Sequence, residues 1–344
     1  MTLSTDTELL PGQQETAAAD YDTVRSGSAC YQPAGVLVRV TGADRLDYLD
    51  TVLSKSTEFV EPDQVREVLL LTDDAEPFAV VTHWELEDET WLLTQTPVAV
   101  ADVEAFFAQA ADGVEIDVAP AGWGVVAVEG PASWKVAAHY LDFDISGLIL
   151  HQSAPAEVDG VDGTHYIARV GTTGEYGYVL LSDTFEQVRA HVLATTEGEG
   201  GRQVSATGLS RVQAEAGNPF YAAGFAGLDV SAADLAWLVD WQRIGEFRGS
   251  DALAAPTRDD RKITPVVVSN DAALEPGAEV RAGDTVVGSV AFEAPAGNPA
   301  ERLAFVVVDA PFWVSGTELQ AGDAELQTVS IPRVVSRSTT ERMG

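Results

Sequence analysis

Arg211-Val-Gln-Ala-Glu-Ala-Gly-Asn-Pro-Phe-Tyr221 decides how this chain is read. Its small and apolar residues favour a helix that stops at Gly217 and turns at Asn218-Pro219. One carboxylate, Glu215, sits inside that run. An ionised Glu in apolar surroundings is costly unless donors reach it, so Glu215 calls for a partner. A planar ring with adjacent N–H groups would serve; a polar position near a helix end is the plainer reading. Upstream, Gly171-Thr-Thr-Gly-Glu-Tyr-Gly-Tyr178 is a glycine-punctuated turn that feeds a strand.

Outward from these segments, strands and helices alternate. Gly35 to Val40 reads as a strand, and Leu46, Leu49 and Leu53 mark a helix behind the capping groups of Thr41-Gly-Ala-Asp44. Val65 to Leu71 and Phe78 to Trp84 read as paired strands around the acidic turn 72–77, with Trp91 to Gln95 as a third. Val98 to Ala111 reads as a helix, and Trp123-Gly-Val-Val-Ala-Val-Glu-Gly-Pro-Ala132 repeats the strand-turn-helix design. Two such units predict mixed sheets with helices on their outer faces. After the polar linker 254–261 come short strands separated by Gly and Pro, from Ile263 to Val335, which predict a small antiparallel barrel. The expected units are a polar lead-in over 1–33, poorly ordered to about residue 25, a two-lobed body over 34–253 and a barrel over 262–340.

The order of these motifs resembles the folate-binding T-protein family of the glycine cleavage system, the aminomethyltransferases. That family reads G-Y-T-G-E-x-G-[FY], then R-L-E-A-G-x-x-L-Y-G; Arg211, Glu215, Ala216, Gly217 and Tyr221 keep the second motif. Relatives also carry l-x-l-q-G-P-x-a at 123–132 and V-G-x-V-T-S-G near Val287. The resemblance spans roughly residues 34 to 340. It implies an α+β, three-lobed fold: two mixed α/β lobes around a central folate pocket plus a C-terminal antiparallel β-barrel. It implies tetrahydrofolate as the ligand, with Glu215 gripping the pterin ring and Trp84, Tyr176, Tyr221, Arg337 and Arg243 as further binding residues. Arg337 and Arg243 are the candidates for folate's anionic tail.

The reactive half of the family site is altered. Relatives place an acid in G-G-x-x-D-D-L-x-V-Y, and here Ala79 and Val80 stand at the two Asp positions, with Trp84 at the aromatic one. A positioned acid or base is worth ~100–10,000-fold in rate, and Val80 supplies none. The catalytic residue is therefore unassigned. His83 follows the opposite strand phase to Trp84 and so faces away from it. The resemblance implies aminomethyl or methyl transfer to tetrahydrofolate from a small C1 donor, with a lipoyl carrier protein as a possible partner. The alternative is a non-catalytic folate-binding protein that has lost the reactive carboxylate. The branch marked by K-G-C-Y-x-G-Q-E is disfavoured, because Val239 to Gly249 contains no cysteine.

Composition narrows the setting. The 344 residues carry a formal charge of −34, with 54 acids against 20 Lys and Arg. Phosphate repulsion argues against nucleic-acid binding. The acids are spread along the whole chain, as expected of a haloarchaeal-type protein in a salty cytoplasm, where screening relieves self-repulsion. No apolar run reaches membrane-spanning length, and the first ten residues lack the pattern of a secretory signal. Cys30 is the single cysteine and the five histidines are scattered, so no disulfide or metal motif is legible. A cytoplasmic location is expected.

Overall fold

The computed structural model describes residues 11–220, 224–225, 227–253, 260–298, 300–340 and 343, with backbone alone for 11–15. The chain opens with α1 (Pro11–Ser26) and continues through β1 (Ala29–Tyr31), β2 (Leu37–Thr41), α2 (Arg45–Asp50), β3 (Val65–Leu71), β4 (Pro77–Glu85) and β5 (Glu89–Thr94). Then follow α3 (Val100–Phe106), β6 (Glu115–Val118), β7 (Gly124–Glu129), α4 (Ser133–Ala137), β8 (Ser153–Pro155), β9 (His165–Ala168) and β10 (Gly177–Ser182). The body ends with α5 (Phe185–Gly198), β11 (Arg202–Gln203), α6 (Ala206–Ala216) and α7 (Ser250–Leu253). Six strands, β12 (Arg261–Val268), β13 (Glu279–Ala282), β14 (Thr285–Glu293), β15 (Arg302–Asp309), β16 (Glu318–Ala321) and β17 (Ala324–Thr328), close into the predicted antiparallel barrel.

The body holds two sheets, ordered β3-β4-β5-β2-β6 and β11-β1-β7-β10-β9-β8. Alternation along their strands divides the interior. Leu37, Val65, Trp84, Trp91 and Leu93 of the first sheet meet Tyr31, Ala127, Val179 and Leu181 of the second in one shared core. The opposite faces pack outward: Val38, Val40, Val68 and Val81 under α2 and α3, and Val126, Val128, Ile167 and Leu180 under α4 and α5. The sheets thus face each other with helices outside, and one-residue alternation sends each neighbour to a different core. A further core, with Leu69, Val80, Phe220, Leu238 and Phe305, joins the first sheet to the barrel.

The N-terminal segment differs from its expectation. Residues 11–26 form a helix packed along α6, with Ala17, Asp20, Tyr21 and Val24 buried at helical spacing. Part of its buried stripe is polar: Asp20 accepts from the Ser205 amide at 2.8 Å and pairs with Arg202 at 2.7 Å. A stripe built on such pairs leaves little trace in hydropathy. The 254–261 linker falls largely outside the described residues.

Candidate functional site

A cavity of about 370 Å³ opens where the two sheets and the C-terminal segment meet. One wall belongs to the first sheet. Glu67 of β3 pairs in register with Thr82 of β4, so both face the cavity side of the sheet. Gln95, just past β5, donates from Nε2 to Thr82 Oγ1 at 2.7 Å. The facing wall is the 169–177 turn, with Tyr31 from β1, Glu129 from the end of β7 and Val179 of β10.

That turn explains the glycine motif. A Cβ on Gly177 would lie 2.5 Å from the Gly171 Cα, so the two ends of the turn close back to back only as glycines. Glu129 holds the turn from beneath. It is wholly buried and accepts the Thr172 and Thr173 amides at 2.9 and 3.0 Å, both threonine hydroxyls at 2.9 and 2.6 Å, and the Tyr31 hydroxyl. Burial, with Glu129 beside it, pushes the Tyr31 phenol well above its usual range. Glu175 at the other end of the turn accepts the Arg337 amide at 3.2 Å, the Ser338 amide and hydroxyl at 2.9 and 2.7 Å, and Arg25 Nη1 at 3.4 Å. Those bonds dock the C-terminal segment at the cavity, where Ser338 and Thr339 join the lining.

The residues singled out in the sequence separate into different places. Tyr176 lines the cavity, and the Arg169 guanidinium lies 5.4 Å from its ring centroid. Glu215 does not line it. It is fully buried, accepting from Tyr21 Oη at 2.8 Å, Arg211 Nε at 2.8 Å, Arg25 Nη2 at 3.4 Å and Asn298 Nδ2 at 3.2 Å. Burial first, then the bond to Glu215, raises Tyr21 to about 12. The partners that Glu215 demands are thus supplied by α1, α6 and the loop before β15. Trp84 is 2 % exposed and sits in the core between the sheets. Arg243 is buried against Asp50, with Nη2 2.8 Å from Oδ2. Arg337 meets the site through its amide, and its side chain is exposed. Tyr221 lies outside the described residues. The helix end was placed well: Gly217 caps α6 at φ 107°, with Asn218 donating to Thr172 O at 2.9 Å.

Val80 is apolar in effect as well as in name. It is 3 % exposed and lines a second cavity of about 340 Å³ together with Phe220, Leu235, Phe305 and Ile331. His83 turns away from the central cavity, as strand phase requires. Its ring accepts from Arg66 Nε at 3.2 Å and contacts Glu85 at 3.3 Å, and burial lowers its pKa.

Sequence reasoning did not single out Tyr31, Glu67, Thr82, Gln95, Glu129 or Arg169 as site residues. Glu129 carried a signal: it is a charge at the end of the apolar strand Val125-Val-Ala-Val128. The others come together only through sheet register.

The model of the GCVT N-terminal domain matches residues 12–243. This chain belongs to that family. The match begins inside α1, which makes the N-terminal helix part of the family domain. The aminomethyltransferase of Streptomyces coelicolor is 27% identical over 292 residues, covering 82% of this chain and 78% of the relative. That of Streptomyces avermitilis is 25% identical over 312 residues, covering 86% and 83%. The solved structure of the glycine cleavage system aminomethyltransferase T from Bartonella henselae superposes with a TM-score of 0.76 at 18% identity, over 93% of this chain and 90% of that one. The three-lobed T-protein fold is thereby established. Among the described residues no helix is long and apolar enough to cross a membrane, and no cluster of metal-ligating side chains forms.

Proposed function

We propose that the central cavity holds tetrahydrofolate and that the protein is a one-carbon transferase, moving an aminomethyl or methyl group onto it. The observation that carries this reading is a cavity of small-molecule size formed by the motif-bearing turn and by a neutral hydrogen-bonding wall, Thr82 with Gln95. A pterin ring presents donors and acceptors along one edge, and a hydroxyl and a carboxamide can answer both. Arg169 forms no ion pair with a described residue and is stacked on Tyr176, which suits the anionic tail of folate.

Val80, at the family's acid position, lines the second cavity rather than this one, so the sheet contributes positioning to the central cavity through Thr82 and Gln95. Glu129 and Glu175 have donors on both oxygens. Glu67, opposite Thr82, is the carboxylate through which this reading routes proton transfer as the C1 unit moves. A small methylated donor, or an aminomethyl group on a lipoyl carrier protein, would supply that unit. An acidic carrier would need high salt to approach so acidic a surface. Val80 also favours a second reading, a folate-binding protein without turnover.

Calorimetric titration with tetrahydrofolate in molar KCl tests the site. Gln95→Ala and Arg169→Ala should each weaken binding by ~10-fold or more. Absence of binding to the wild type would remove the assignment. Product formation from lipoyl-bound or methylated donors, lost in Glu67→Gln while folate affinity holds, separates the transferase from the binder.

A further inference from the structure

Most described cations of this protein meet a carboxylate, as Arg243, Arg248 and Lys262 do. Lys55 and Arg66 do not: no carboxylate of a described residue lies within ion-pair distance of either. The two share a surface cleft of about 390 Å³ with Ser56, Phe59, Gln64 and Asp240. Arg66 alternates with Glu67 along β3, so its guanidinium sits on the His83 face, away from the central cavity. Its Nε is spent on His83, and its buried Nη2 has no acceptor among the described residues. Lys55 reaches in beside it, donating to Glu67 O at 3.1 Å with its Nζ 5.4 Å from the Trp237 ring centroid.

Burial pushes Arg66 down to about 10, and burial followed by the charge of Arg66 lowers Lys55. Glu85 and Asp50 act against the shift of Arg66, and Glu67 against that of Lys55, but none comes within ion-pair distance of either cation. Two neighbouring cations without a close counter-ion and a buried N–H without an acceptor among the described residues all cost free energy. One oxyanion in the cleft would relieve all three. Asp240, the carboxylate of the cleft, accepts the Gln242 amide at 3.1 Å and is not within ion-pair distance of either cation. Phe59, 82 % exposed, gives the cleft an aromatic side, and Trp237, 58 % exposed, lies against Lys55 Nζ.

We propose that this cleft is a second ligand site, separate from the folate reading of the central cavity, for the phosphate or carboxylate group of a compact metabolite. Arg66 Nη2 and Lys55 Nζ hold the oxyanion, and Phe59 covers the rest of the molecule. β3 stands between the two sites: Arg66 borders both, and the carbonyl that receives Lys55 belongs to Glu67.

The test is calorimetric titration of the full chain in KCl at constant ionic strength with inorganic phosphate, phenyl phosphate and malonate. Saturable binding of at least one, weakened ~10-fold or more in both Lys55→Gln and Arg66→Gln and kept in Gln95→Ala, is the expected result. Response to phosphate and phenyl phosphate assigns the bare phosphate group, to phenyl phosphate alone an aromatic ester, and to malonate alone a carboxylate. No saturable binding of any probe overturns the proposal, as does equal binding by wild type and Lys55→Gln. Lys55 is half-buried at the surface, so its variant keeps the test decisive should Arg66→Gln fail to fold. Tetrahydrofolate affinity measured alongside shows independently whether the central-cavity reading stands.

Discussion

Glu215 and Glu129 are both fully buried carboxylates on signature motifs, and the structure uses them in opposite ways. Glu215 is neutralised by cations, Arg211 and Arg25, and gathers partners from α1, α6 and the loop before β15. Glu129 meets no cation of a described residue within ion-pair distance; it is solvated by two amides and three hydroxyls, four of those five donors coming from Thr172 and Thr173. The first arrangement fastens distant parts of the chain to one another. The second shapes one turn, and that turn is a wall of the central cavity. Burial and motif membership therefore do not tell what a buried carboxylate holds in place; the source of its donors does.

The largest effect should come from removing Glu215. Glu215→Ala leaves Arg211, 1 % exposed, and Arg25 without their shared anion, a change that costs ~3–5 kcal/mol for a buried pair. Chemical denaturation in molar KCl should show that loss, and Glu215→Gln should recover only part of it. If Glu215→Ala is as stable as wild type yet loses folate affinity, Glu215 is a ligand contact and the contrast with Glu129 collapses.

Glu129→Gln sharpens the other side. A carboxamide keeps one oxygen and turns an NH2 toward groups that are themselves donors, so buried N–H and O–H groups lose acceptors at ~1–3 kcal/mol. Here the expected signature is double: a moderate stability loss and weaker tetrahydrofolate binding, because the turn borders the cavity. A Glu129→Gln variant that gained affinity would show that the charge itself opposes the ligand.

The same contrast explains what was legible in the sequence. Alternation along β2 to β5, the Gly217 stop and the barrel's short strands are local signals, each written within a few residues, and each is found in place. The apolar character of Val80 was legible for the same reason. The cavity wall was not, since Glu67, Thr82 and Gln95 lie on or beside three different strands and meet only through register. Helix α1 was missed because its buried face pairs charges with partners about 150 to 195 residues away, a relation no window along the chain can hold. Trp84 and Arg243 show the converse: an aromatic and a cation near a site motif pack into the core and against Asp50.

Salt should act on the whole molecule more weakly per site but over many sites. With a formal charge of −34, dialysis from molar KCl into dilute buffer removes the screening that limits self-repulsion, so the melting temperature should fall. Glu215→Ala should be the more salt-sensitive of the two carboxylate variants, because it removes a fastener between parts of an acidic chain. A melting temperature that does not move with salt would detach the composition from any saline setting.

The smallest effect is a pH dependence at His83, which lies behind the cavity wall rather than in it. Burial lowers its folded pKa below the usual imidazole value of about 6.5, against the opposing bond to Glu85. The unfolded chain therefore takes up a proton first as pH falls through about 6.5, and stability declines from there until the folded form is protonated too. Glu85, lowered below 4.5 by its bonds to His83, Thr90 and Arg45 against its own burial, adds a second loss in the same direction at lower pH. His83→Asn should flatten the upper window and narrow the lower one, because the bond to His83 is itself among the causes that lower Glu85. Because His83 faces Arg66 and not the cavity, that substitution should leave tetrahydrofolate affinity near the wild-type value at neutral pH, while Gln95→Ala, on the other face of the same sheet, should lower it without touching the pH profile.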